Sequence, residues 1–216
     1  MKLLAIGIAI MIVSGTAAVF IQTVGNKKSP SMPIRVACVG DSITNGTEYP
    51  NDLWVLLGAN YTVGNFGVGG ASVSLDSGKP YMNEPAFQDA KEFQPNIVII
   101  MLGANDAQPD LHRFNATFVN DYLRLVGEFQ ALTSKPKIWI VKPPPIFNNG
   151  TGLSTEYFIL NVIPSVEQVA NEANLPIIDV YSALVNHSDY FSDGVHPDKD
   201  GSKLIANEVY KAIISK

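Results

Sequence analysis

A single cysteine, Cys38, in a chain of 216 residues excludes any intrachain disulfide, so stability has to come from packing. Cys38 sits inside an apolar run and reads as a small buried hydrophobe rather than a reactive thiol. Positive charge is also scarce. Fifteen Lys and Arg against twenty Asp and Glu leave a net charge of -5, and the nearest approach to a basic run is Lys27-Lys28. Recognition of nucleic-acid phosphates needs a clustered basic surface, so a nucleic-acid partner is excluded. No G-x-G-x-x-G opens a helix and no G-K-[ST] phosphate loop occurs. No H-E-x-x-H and no Cys/His cluster points to a metal. Neither cofactor nor metal is therefore expected. The G-x-S-x-G elbow of ordinary α/β-hydrolases is missing too. No repeat of 20–50 residues and no low-complexity linker divides the chain.

What is present begins with an N-terminal stretch unlike the rest. One lysine is followed by Leu3 to Val24 without a charge, then by Asn26-Lys27-Lys28. Residues 1–30 read as a signal peptide or signal anchor. The small residues Ser14 to Ala18 offer cleavage positions, yet the apolar stretch also reaches the roughly 20 residues that a membrane span requires. The expected location is the secretory pathway or the extracellular space, with residues 3–24 as a membrane tether if uncleaved. Five Asn-x-Ser/Thr sequons, at Asn45, Asn60, Asn115, Asn149 and Asn186, give that route weak support. Asn45 lies so near Ser42 that its modification is not expected. Residues 31–216, in a chain 46% hydrophobic, suffice for one domain with a full core.

From Pro33 onward, strand-like and helix-like segments alternate. The strand candidates are 34–40, 61–67, 95–103, 135–143 and 175–181; the helix candidates are 49–58, 84–93, 114–133, 155–173 and 198–215. The middle strands are continuous apolar runs, as expected when both sheet faces are covered. In the stretch 114–133, Phe118, Tyr122, Leu125, Val126 and Phe129 recur at helical spacing and read as core. Alternation of this kind predicts a mostly parallel sheet with helices on both faces. Ligands of such open sheets bind at the carboxyl ends of the strands.

At those ends the sequence places polar, glycine-rich loops. Gly40-Asp41-Ser42 follows the first strand, Gly67, Gly69 and Gly70 follow the second, and Asn105 and Asp106 follow the third. Asp193 and His196 stand just before the last helix. This set suits acyl transfer. A serine hydroxyl needs a base to become nucleophilic. An imidazole with the ordinary value of about 6.5 is largely neutral at pH 7, which makes His196 that base. Asp193, three residues upstream, is placed to hold the ring. The Ser42 and Gly70 N–H groups and the Asn105 amide supply donors for a developing oxyanion. Asp41 and Asp106 read as loop-fixing acceptors, and His112 and His187 as solvated surface residues.

The blocks "GDSIT", "NFGVGG", "GAND" and "DGVH", in that order, resemble the four sequence blocks of the SGNH (GDSL-type) hydrolases. The resemblance covers 34–216. It implies a three-layer α/β/α flavodoxin-like domain with a five-stranded parallel sheet and no cofactor. It also implies Ser42 as nucleophile, Asp193 and His196 as its partners, and Gly70 and Asn105 as oxyanion donors beside the Ser42 N–H. Ala104 stands where many relatives carry threonine. Three further stretches resemble the sialate O-acetylesterase-like or carbohydrate esterase subgroup: 78–109, 134–147 and 191–209. The expected substrate is a small-molecule or glycan ester with a short acyl group, with acyl lipids (lysophospholipase or thioesterase chemistry) as the alternative.

Overall fold

The computed structural model describes residues 32–147 and 150–215, with side chains left undescribed at 112–115. The N-terminal stretch 1–30, the Asn149 sequon and the side chains of His112 and Asn115 therefore lie outside the described residues. Five strands form one sheet: β1 (Ile34–Gly40), β2 (Tyr61–Gly67), β3 (Ile97–Met101), β4 (Lys137–Lys142) and β5 (Ile177–Asp179). Their order is β2-β1-β3-β4-β5 and every pairing is parallel. β1 runs between β2 and β3, so successive crossovers leave it in opposite directions. That reversal opens a crevice at the carboxyl ends of β1 and β3, where open α/β sheets take their ligands.

The helices are α1 (Ser42–Gly46), α2 (Tyr49–Leu57), α3 (Pro85–Glu92), α4 (Asn115–Gln130), α5 (Thr155–Tyr157), α6 (Ile163–Glu172), α7 (Val180–Leu184) and α8 (Lys199–Ile214). α2 packs on α8 to cover one face of the sheet, while α3, α4 and α6 cover the other. Every residue of β3 is buried, which accounts for its unbroken apolar sequence. The stripe Phe118, Tyr122, Leu125, Val126 and Phe129 is buried throughout. Cys38 is buried as well, and burial pushes its thiol up to about 12 although Tyr49 donates toward it.

Two segments depart from the periodicity. The stretch 155–173 is not one α-helix: α5 and α6 are joined by a π turn over Phe158–Val162. The stretch 175–181 contributes only three residues to the sheet, because the Asp179 side chain accepts the Ser182 N–H and bends the chain into α7.

Candidate active site

Ser42 opens α1 directly after β1, and Asp41, rather than Ser42, caps that helix by accepting the Ile43 N–H at 2.9 Å. The serine hydroxyl is thereby left free for other work. The short helix lies hard against the sheet edge. A side chain at Gly67, the last residue of β2, would run into the Asn45 backbone, so only glycine fits there. Asn45 and Asn65 strengthen the same junction, donating to Gly67 O and Thr44 O at 3.2 and 2.9 Å.

The Ser42 hydroxyl meets His196 Nε2 at 2.8 Å. His196 Nδ1 in turn meets Asp193 Oδ2 at 2.6 Å. The second carboxylate oxygen of Asp193 accepts the Val195 and His196 N–H groups at 2.9 and 2.8 Å, folding 193–196 into a tight turn. Partial burial pushes the Asp193 carboxyl up, but the imidazole and those two N–H groups hold it down at about 2. An ionised Asp193 can only accept, so Nδ1 carries the ring proton and Nε2 faces the serine with a lone pair.

The glycine loop leaves the sheet edge beside Ser42. Val68 N–H donates to Gly40 O at 3.0 Å, and a Cβ built at Gly69 would come within 4.0 Å of Ser42 Cβ. Gly70 has φ +76, a conformation that favours glycine, and its Cβ direction opens on empty space. Asn105 donates one amide hydrogen to Ala71 O at 2.9 Å, leaving its second for a ligand. Half of the Asn105 amide thus anchors the loop that carries Gly70. Ala104, the departure from the SGNH pattern, is buried and adds no polar group.

Beneath these loops lie two buried carboxylates. Asp106 accepts the Val73 and Ser74 N–H groups at 2.9 and 3.0 Å and the Ser74 hydroxyl at 2.8 Å, pinning the segment after the glycines. Burial nonetheless pushes its carboxyl up to about 6. Burial pushes Asp41 up to about 7, with Asp106 adding to the shift and the Ile43 N–H and His196 opposing it. Asp41 Oδ2 is buried without a partner among the described residues. His187 is not a solvated surface residue; it is half-buried and stacked on Tyr190, with ring centroids 4.7 Å apart. One residue escaped the sequence reading altogether. Lys79 donates to Gly69 O at 2.8 Å from ten residues away, and no local pattern signals that contact.

The structure therefore gathers Ser42, Gly70, Asn105, Asp193 and His196 at one sheet edge. Residues 38–204 match the model of the GDSL-like lipase/acylhydrolase family. An acetylxylan esterase of Xylanibacter ruminicola is 32% identical over 83% of this chain and 43% of its own length. A GDSL esterase/lipase of Oryza sativa is 20% identical over 56% of this chain and 54% of its own. The chain spans about half the length of these curated relatives. Among solved structures, a carbohydrate acetylesterase family member from Sinorhizobium meliloti superposes with a TM-score of 0.65 at 20% identity, covering 83% of this chain and 97% of that one. A lipase/acylhydrolase from Enterococcus faecalis gives 0.65 at 24%, covering 83% and 95%. Such structural likeness establishes the fold, and the sequence match establishes the kinship: the chain belongs to the GDSL-like lipase/acylhydrolase family.

Proposed function

We propose that this chain is a serine ester hydrolase that removes short acyl groups, acetyl foremost, from carbohydrate hydroxyls. The observation that carries the reading is the hydrogen-bonded line Ser42–His196–Asp193 at the crevice between β1 and β3. Its carbohydrate and acetyl components draw support from the relative described as an acetylxylan esterase.

In this mechanism Ser42 Oγ attacks the ester carbonyl while His196 Nε2 takes the hydroxyl proton. Asp193, ionised across the working range, accepts from Nδ1 and stabilises the imidazolium that forms. Negative charge gathers on the former carbonyl oxygen. The Gly70 N–H, the second Asn105 amide hydrogen and the Ser42 N–H, which the start of α1 leaves without an intrahelical acceptor, are its donors. Collapse of the tetrahedral species expels the sugar alkoxide, which His196 protonates. A water then attacks the acyl-serine with His196 again as base, releasing the carboxylic acid and restoring Ser42.

Hydrolysis of p-nitrophenyl acetate and p-nitrophenyl octanoate by the full chain, with Ser42→Ala beside it, tests this reading. Preference for acetate that the substitution abolishes, followed by acetate release from acetylated xylan, is the expected result. Activity rising from acetyl to octanoyl would replace the acetylesterase reading with a lipid one. Undiminished hydrolysis by Ser42→Ala would remove the nucleophile assignment.

A further inference from the structure

Two buried polar atoms that take no part in the triad belong to one hollow. Among the described residues, Asp52 Oδ2 and Ser202 Oγ are buried without a hydrogen-bond partner. Both residues line a hollow of about 530 Å³ between the first turns of α2 and α8. That volume falls within the roughly 300–1,000 Å³ typical of small-molecule sites. Ser202 is only 1% exposed and lies at the base of the hollow. A buried hydroxyl left unpaired is costly, so one placed against an open hollow points to a ligand.

The hollow touches both segments that carry the catalytic pair. Gly46 and Thr47 close the helix that Ser42 opens, and Pro197 and Asp198 follow His196 directly. α1 rises roughly 6 Å over its five residues, so the hollow begins about that far from the serine. A glycine keeps α8 close to this wall: a Cβ at Gly201 would come within 2.8 Å of Pro197 Cβ. The chemistry of the lining narrows the ligand. Glu48 Oε2 takes the Asn51 amide at 2.9 Å, and Asp198 Oδ1 takes the Asp200 and Gly201 N–H groups at 2.9 and 3.0 Å. One oxygen of each carboxylate is thereby left over. With Asp52, the hollow holds three carboxylates against the single ammonium of Lys199. That balance repels an anionic ligand. Among the described residues, no three acidic, histidine or cysteine side chains converge as metal ligands would. A sugar hydroxyl suits the set, because it donates to a carboxylate oxygen and accepts from Ser202.

We propose that the hollow between α2 and α8 binds a neutral sugar unit of the glycan whose ester meets Ser42. The assignment rests on the carbohydrate-esterase reading and deepens it by placing the glycan and naming the kind it refuses. The acylated sugar stands at the serine, while a neighbouring unit of the same chain hydrogen-bonds to Glu48, Asp52, Asp198 and Ser202. Glycans built of uronic acids are disfavoured, since their carboxylates would face those of the hollow.

Calorimetric titration of the full chain at pH 7 with unacetylated xylohexaose, and with an oligogalacturonate of equal length, is the test. Xylohexaose should bind, and the galacturonate should bind more weakly. Ser202→Ala should weaken xylohexaose binding about fivefold, as loss of one hydrogen bond implies. Gly46 lies outside the left-handed region and a Cβ there meets nothing within 4 Å, so Gly46→Phe adds a ring at the hollow without backbone strain. It should abolish binding with the far-ultraviolet spectrum unchanged. Should Gly46→Phe fail to fold, Ser202→Ala, which removes one oxygen only, still decides. No xylohexaose binding by the parent would overturn the proposal, as would a folded variant that binds as tightly as the parent. Galacturonate bound as tightly as xylohexaose would overturn it too. Neither oligosaccharide carries an ester, so p-nitrophenyl acetate hydrolysis by the parent reports separately on the catalytic reading.

Discussion

Asp193 and Asp41 are the same residue type on either side of the Ser42–His196 pair, yet their surroundings push them in opposite directions. Asp193 sits on an exposed turn, takes two backbone N–H groups and an imidazole, and is held at about 2. Asp41 lies under the serine, accepts one N–H, leaves its other oxygen orphaned, and is pushed up to about 7. Exposure does not weaken the first, and burial does not strengthen the second. What separates them is burial first and donors second: Asp106, buried like Asp41 but facing three donors, is still pushed up to about 6. The turn is built to keep a charge; the floor beneath Ser42 is built to do without one.

The comparison can be broken most severely at the turn. Ser42→Ala should lower kcat by about 10⁵-fold or more, and Asp193→Asn by about 10³- to 10⁴-fold, with the far-ultraviolet spectrum unchanged in both. An Asp193→Asn enzyme within tenfold of the parent would mean that the charge on the turn is idle. Removing a donor from the loop that faces them, through Asn105→Ala, should cost about 10²- to 10³-fold in kcat. Part of that loss would come from release of Ala71 and the glycine loop, so KM should rise as well.

How much of this was legible beforehand varies with how local each cause is. β1 and β2 match their sequence runs at both ends: β1 is buried over most of its length, whereas β2, at the sheet edge, is mostly half-buried and pairs along its full length with β1. The three-residue spacing of Asp193 and His196 announced a side-chain contact within one turn, and the structure has it. β5 was overread because one Asp179 side chain ends it, and a cap outweighs β-branched neighbours. The π turn at Phe158–Val162 left no mark on the apolar pattern, since one extra residue per turn still buries Phe158 and Val162. The Lys79–Gly69 and Asp106–Ser74 contacts join loops whose approach only the whole fold decides.

The smaller effects sharpen the comparison through pH. Asp41 and Asp106, with values above the unfolded carboxylate value of about 3.9, hold protons in the folded state that the unfolded chain has already released. Their contribution therefore favours folding less and less as pH rises from about 4 to about 7, then levels off. Asp193 runs the other way: its contribution is present above about 4 and lost as pH falls toward 2. Asp41→Asn keeps a competent helix cap and removes the ionisable group. It should raise Tm by a few °C at pH 8 and change it little at pH 4, as read by scanning calorimetry. A lower Tm at pH 8 would show that Asp41 is a valued anion after all. Asp193→Asn should leave Tm nearly unchanged at pH 7, because an exposed carboxylate is well screened by water.

The contact between Ser42 and His196 spans 154 positions along the chain. Nothing local can preassemble it; the hydroxyl and the imidazole meet only after all five strands have paired and α8 has docked against α2. Such distant closures come late in folding. A chain emerging from a ribosome therefore remains chemically silent until α8 has followed His196 out and docked. In a refolding experiment the return of hydrolysis would time the last docking event rather than the formation of the sheet, and an ellipticity signal would complete first.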